Sequence, residues 1–219
     1  MRSQDQDRLI RFLVGLQGSR FELQDFHWDR QQREMVYEVV PKGPERICSR
    51  CHQGASCHDR EWIELKDLPV GIQMSSVKLK VLKCRVRCKG CGIQQEALVF
   101  RSEFGRITKR LEEYIVDLLM TKMITVQDIA RMFGLDYDLV YRIDLEVLRR
   151  QALSMKKPDP QHIAVDEKSF KKGHSYVTIV IGVEKPRGKN VIYVAPGRKK
   201  ESLDEFFKWL GKARSILRF

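Results

Sequence analysis

Two cysteine pairs carry the clearest chemistry in this chain. Cys48 and Cys51 stand in "ICSRCHQG", Cys88 and Cys91 stand in "VRCKGCGI", and 36 residues lie between the two C-x-x-C pairs. Two thiolates separated by two residues can reach one ion from a single tight turn, and a second such turn closes a tetrahedral site. The spacing therefore predicts a structural zinc held by Cys48, Cys51, Cys88 and Cys91. Gly90 and Gly92 supply backbone freedom at the second turn, and Gly54 follows the first. The spacer is long enough for an intervening β-sheet, as in a zinc ribbon. A disulfide framework, a redox pair and unligated buried cysteines compete with this reading, although nothing marks the chain as secreted. Cys57 and Cys84 are expected to be small core residues, with Cys84 an alternative to Cys88 as ligand. His52 and His58 are expected at the surface.

A second candidate is Asp166, which closes the apolar run of "HIAV" and is followed by Glu167. A carboxylate at a strand end can point off the sheet edge into a cleft, and two-metal phosphoryl-transfer sites draw ligands from such ends. Three apolar, β-branched runs, "HIAVDEKSF", "YVTIVIGVE" and "NVIYVAPG", precede "ESLDEFFKWLG", in which Leu203, Phe206, Phe207 and Leu210 recur at helical spacing. The order β, β, β, α is the opening of a ribonuclease H-like fold.

Between these candidates the pattern is helical. Residues 106 to 123 predict a helix with Ile107, Leu111, Tyr114, Ile115, Leu118 and Leu119 along one face. In "TVQDIARMFGLDYDLVYRIDLEVLRR", Thr125 can cap a helix, Ala130 is small where two helices touch and Gly134 sits at the turn. Asp136 can cap the next helix, and Val140 and Ile143 pack it on the first. This is a helix-turn-helix pattern whose second helix offers Tyr137, Asp138, Tyr141 and Arg142 to a DNA major groove. A plain helical hairpin competes, because residues 101 to 160 are nearly neutral, with 11 basic and 10 acidic groups.

These elements sit in a chain of 219 residues with a net charge of +12, and the excess is confined to two segments. Residues 41 to 100 carry 11 basic and 6 acidic groups, and residues 161 to 219 carry 13 and 6. A polyanion is the natural partner, nucleic acid first among them. No run suits a membrane span or a signal peptide, so a cytoplasmic location is expected. The fold class is α+β multidomain: an N-terminal helix (7 to 16) and β-hairpin over 1–44, a zinc-ribbon-like segment over 45–99, a helix-turn-helix over 100–153, a linker over 154–161 and a βββα segment over 162–219.

The succession of two C-x-x-C pairs, helix-turn-helix, "AVDEKSFKKGHSYVTIV" and "APGRKKESLDEFFKWLG" resembles the insertion-sequence transposases of the ISL-three group. The resemblance implies a DDE catalytic domain of ribonuclease H-like fold, in which two aspartates and a glutamate hold Mg²⁺. Asp166 matches the first aspartate, and Cys48, Cys51, Cys88 and Cys91 match the zinc ligands. It further implies binding to the double-stranded terminal inverted repeats of a mobile element in a bacterial, nucleoid-associated setting. A homo-oligomer or a full-length transposase would be a protein partner. The family's second aspartate and its glutamate have no counterpart here, since "GKARSILRF" holds no carboxylate, and Asp204 and Glu205 are expected on the outer face of their helix. The expected chain is thus a C-terminally truncated transposase, inactive in cutting, that binds element ends. The alternative is a stand-alone zinc-containing helix-turn-helix protein that represses transposition or transcription.

Overall fold

A computed structural model describes residues 8, 12, 15, 16, 19–71, 75–154, 158, 160, 162–171, 175–184 and 188–211. Most of the expected helix over 7 to 16, most of the linker over 154–161, "KGH" at 172–174 and the tail 212–219 lie outside the described residues. The chain divides into two compact units, Met1–Gln151 and Ala152–Phe219.

The first unit is built on a six-stranded sheet. Strands β1 (Phe21–Asp29) and β2 (Glu34–Pro41) form the expected hairpin. Asp29 shapes its turn: its carboxylate accepts from the backbone N–H of Gln31 at 2.8 Å and of Gln32 at 3.0 Å. The Gln32 bond in particular holds its pKa below the usual carboxylate value. Strands β3 (Arg46–Ile47), β4 (Gly54–Val70), β5 (Ser75–Cys88) and β6 (Gly92–Gln95) follow, in the spatial order β1-β2-β5-β4-β3, with β6 paired to β5. β2 runs parallel to β5, so the expected boundary at residue 44 falls inside one continuous sheet. Parallel pairing needs a long crossover, here the whole β3–β4 excursion, and leaves no local sequence signal. Leu79 and Val81 of β5, Val39 of β2 and Leu65 of β4 are fully buried and share one core with Leu16, Phe21 and Phe100.

The opposite face of the sheet is a ladder of ion pairs. Lys78 binds Glu34 at 2.6 Å and Glu64 at 3.3 Å, and Lys80 binds Glu38 at 2.9 Å, while Lys83, buried on the same face as Leu79 and Val81, binds Glu61 at 2.9 Å. Opposite charges across neighbouring strands support the pairing register. The lysines of "SVKLKVLKCRV" are therefore already matched.

Among the described elements, three helices also belong to the unit. Helix α1 (Lys109–Thr121) starts later than the sequence pattern suggests, because Thr108 caps it by accepting from the Leu111 N–H at 3.3 Å. Ile107 lies outside the helix and bridges to Lys66. Helix α2 (Val126–Phe133) has the expected caps: Thr125 accepts from the Asp128 N–H at 3.2 Å, and Gly134 takes the left-handed conformation at φ 56°. Helix α3 (Tyr137–Ser154) follows Asp136, whose carbonyl accepts from the N–H of Leu139 at 3.1 Å. Ile129, Ala130, Phe133, Val140 and Ile143 are buried in the bundle with Leu111 and Ile115. Tyr114 is 40% exposed and lies edge-on to Phe133.

Asp67 of β4 joins bundle to sheet. Its buried carboxylate accepts from Thr108 Oγ1 at 2.6 Å and from the Arg110 guanidinium, with Nε at 2.6 Å. Lys66 adds a backbone clasp, exchanging bonds with Arg106 and Thr108 at 2.8 and 2.9 Å, and its ammonium donates to the Gly134 carbonyl at 3.0 Å.

The second unit contains strands β7 (His162–Lys171), β8 (Ser175–Glu184) and β9 (Gly188–Pro196) in an antiparallel meander, then helix α4 (Lys200–Leu210). Phe206, Phe207 and Leu210 bury one face of the sheet together with Ile163 and Val180. Replacing Thr125 with Ala should cost about 1 kcal/mol of stability by losing the cap of α2. Ala130→Leu, which overfills the α2 contact, should cost about 1–3 kcal/mol. Urea denaturation of both variants measures the order.

Candidate metal centre and nucleic-acid interface

The four predicted cysteines converge. Their sulfurs lie within 4.8 Å of one another, and they form the one group of three or more possible ligands among the described residues. Cys48 follows the short strand β3 and opens a turn in which Gln53 O accepts from the Cys48 N–H and Cys48 O accepts from the His52 N–H, both at 3.0 Å. His52, not Gly54, takes the positive φ of 57° here, while Gly92 does so at 73° beside the second turn. That second turn links β5 to β6, with Cys88 paired to Gly92, and an isolated bridge from Cys48 to Glu96 ties the two turns together.

This geometry suits one tetrahedral ion. Metal–sulfur bonds of about 2.3 Å imply sulfurs roughly 3.8 Å apart, and Cys51 and Cys88 stand 3.5 Å apart. The electrostatics point the same way. The backbone N–H of Gly90, then the Cys51 thiol and the Cys91 N–H, draw the Cys88 thiol down to about 7. Cys91, facing Cys51, burial and Cys88, is pushed up to about 12. Ionising one sulfur thus opposes ionising the next unless a cation sits among them, so the cluster could bind a metal.

Two expectations about the other cysteines need correction. Cys84 does not join the ligand group; it is fully buried and bonded in a disulfide to Cys57, with the Cα atoms 5.7 Å apart. Cys57 is exposed, not a core residue. The antiparallel register of β4 on β5 brings the two together, a non-local fact that spacing along the chain does not reveal. His52 and His58 are exposed, as expected.

The helix-turn-helix residues lie on one exposed face at the start of α3. Tyr137 and Tyr141 are 46% and 42% exposed, and their rings stack 5.9 Å apart at 12°. Asp138 is exposed between them. Arg142 is exposed but committed to the protein: Nη2 donates to the Phe104 carbonyl at 2.8 Å and Nε to the Asp138 carbonyl at 3.4 Å. Around the cysteine turns, Arg50, Arg87 and Lys89 are also exposed, a cationic group outside the motifs that the sequence marks as DNA-binding. Its only signal in the sequence is the basic excess of residues 41 to 100.

Asp166 is placed differently from expectation. It lies in the middle of β7, not at its end, because the polar "EKSF" continues the strand through its pairing with β8. Its carboxylate is exposed and accepts from the Glu167 N–H at 2.9 Å. Alternation puts Asp166 and its partner Ile179 on the face away from α4. Among the described residues, no second and third ligand gather around it. On α4, Glu205 is exposed and Asp204 is half-buried.

Residues 105–148 match the model of the helix-turn-helix domain of transposase family ISL3, and residues 163–217 match a transposase model of the same family. Both matched regions are those of ISL3-family transposases. The transposase for insertion sequence element IS1001 of Bordetella parapertussis is 32% identical over 218 residues, covering 95% of this chain and 50% of that protein. The transposase for insertion sequence element IS1557 of Mycobacterium tuberculosis is 26% identical over 222 residues, covering 95% and 47%. The chain thus spans about half the length of the curated relatives it matches. DDE transposases use divalent metals, and no helix among the described residues is long and apolar enough to cross a membrane.

Metal analysis of the purified chain by plasma mass spectrometry should find close to one divalent ion per molecule. Cys91→Ser should abolish most of it, and acidification should release it as protons compete for the sulfurs. Metal retained in full by the Cys91→Ser variant would exclude the four-sulfur site.

Proposed function

We propose that this chain carries the DNA recognition of an insertion-sequence transposase, binding double-stranded terminal inverted repeats through α2 and α3, and that it does not cut DNA by itself. The observation that carries the reading is the α2–turn–α3 pair, capped by Thr125, turned at Gly134 and fixed to the sheet through Lys66 and Asp67, with Tyr137, Asp138 and Tyr141 exposed on one face. The N-terminal end of a second helix so presented fits a major groove. The ion among the cysteines is zinc on this reading, since an all-thiolate tetrahedral set selects it in structural sites. The zinc stiffens the turns that carry Arg50, Arg87 and Lys89, which would neutralise phosphates beside the helix contacts.

The second unit is, in this proposal, the βββα opening of a ribonuclease H-like domain, with Asp166 its first metal ligand. Two-metal strand transfer needs a carboxylate set able to clamp both ions about 3.5–4 Å apart. Among the described residues no other carboxylate gathers with Asp166, and alone it supplies too little charge and no fixed geometry for Mg²⁺. That single carboxylate favours a second reading of the same binding activity: a chain that occupies element ends without cutting them would repress transposition. Its partners would be the terminal repeats, a second copy or a longer transposase, in a bacterial cytoplasm.

Gel-shift and cleavage assays on duplexes carrying the element's ends test both parts. The 219-residue chain should prefer end DNA over shuffled DNA and leave both strands intact in Mg²⁺. Tyr141→Ala should lower that preference roughly tenfold. Removing Arg50 and Lys89 should weaken binding to all sequences and flatten its salt dependence by roughly one unit of slope for each phosphate no longer neutralised. Equal affinity for any duplex would contradict end recognition, and strand cutting by the wild-type chain would contradict the catalytic part.

A further inference from the structure

The metal cluster and the helix-turn-helix leave one pair of reactive groups without a role. Cys57 and Cys84 are the two cysteines outside the four-sulfur group, and they face each other across β4 and β5. Cys57 pairs in register with Val86, and Cys84 is the next residue of β5 on the same face; the register shift between Cys57 and Asp59 falls at this point. The two sulfurs have opposite surroundings. Cys57 is exposed, whereas Cys84 is fully buried. Cys84 also has a cationic partner: the buried Arg46 side chain directs Nε at its sulfur from 3.2 Å. Arg46 is itself fixed by carbonyls of Gly43 and Glu45, each at 2.8 Å, and by the carboxylate of Glu96 at 3.6 Å. Glu96 accepts in turn from the Cys84 N–H at 2.8 Å.

We infer that Cys57 and Cys84 form a thiol–disulfide exchange site that takes small-molecule disulfides and thiols of the glutathione class, with Cys57 the entry sulfur and Cys84 the resolving sulfur. An accessible cysteine beside a buried partner is the arrangement such pairs require. In the oxidising direction, the Cys57 sulfur attacks the external disulfide, forming a mixed disulfide and releasing one small thiol. The Cys84 sulfur then attacks Cys57, forming the internal bond and releasing the second small thiol. Two protein thiols are oxidised, one external disulfide is reduced, and the two protein protons leave on the two released thiols. In the reverse direction a small thiolate reaches Cys57, and the electron pair of the broken bond goes to Cys84, where the Arg46 guanidinium receives the charge. The four metal-binding sulfurs take no part, so the bond can staple β4 to β5 beneath the cysteine turns without consuming a ligand.

Peptide mapping by mass spectrometry, after the purified full chain is first reduced with a mild thiol and then exposed to oxidised glutathione, tests this. The wild-type chain should end with Cys57 and Cys84 in one cross-linked species and no glutathione retained. The Cys84→Ser chain should hold glutathione on Cys57, because nothing resolves it. The Cys57→Ser chain, changed only at an exposed position, should acquire glutathione at Cys84 at least about tenfold more slowly than wild type forms its cross-link. This variant keeps the test decisive if the buried Cys84→Ser change impairs folding. Glutathione persisting on wild-type Cys57, or Cys84 reacting at the wild-type rate in the Cys57→Ser chain, would overturn the inference.

Discussion

The arrangement of the first unit depends on a buried carboxylate. The Asp67 side chain has no solvent exposure, and Arg110 and Thr108 supply its hydrogen-bond partners. Removing one partner of such a pair leaves an uncompensated charge and typically costs about 3–5 kcal/mol. The consequence is directional as well as energetic. Thr108 is also the cap of α1, so the residue that starts the bundle is the residue that Asp67 holds. Through Lys66 the same segment of β4 holds the carbonyl of Gly134, the turn between α2 and α3. One strand therefore fixes both the beginning of the bundle and the turn that aims α3.

That strand also reaches the cysteine turns. β4 begins at Gly54, just after the first cysteine pair, and pairs with β5, which ends at the second. The four-cysteine cluster at one end of this hairpin and the helical bundle near the other are thereby parts of a single scaffold. On the outer face, the middle of the hairpin is occupied by a ladder of ion pairs. Lys78, Lys80 and Lys83 are matched to glutamates, which leaves exposed cations such as Arg50, Arg87 and Lys89 near the cysteine turns.

Features governed by local geometry are readable from the sequence. The two C-x-x-C turns, the Thr125 cap, the Gly134 turn and the apolar spacing of α4 each involve residues within one turn of chain, and each stands where the pattern puts it. Features governed by pairing across long separations are not. Asp67 reads as one more polar residue between Lys66 and Leu68, since its partners lie about forty residues away. The parallel β2–β5 contact and the Cys57–Cys84 bond are hidden for the same reason. Asp166 falls inside its strand because a strand need not stop where apolar residues stop; hydrogen bonding to β8 continues through the exposed polar residues beyond it. Helix α1 begins after Ile107, although that residue carries the helical period, because the cap at Thr108 decides the start.

The most direct test of this account is backbone hydrogen exchange in the Asp67→Ala chain. If Asp67 is the attachment of bundle to sheet, amides of α1, α2 and the start of α3 should exchange much faster than in the wild type, while the β5 core around Leu79 and Val81 stays protected. Unchanged protection of the three helices in that variant would contradict it.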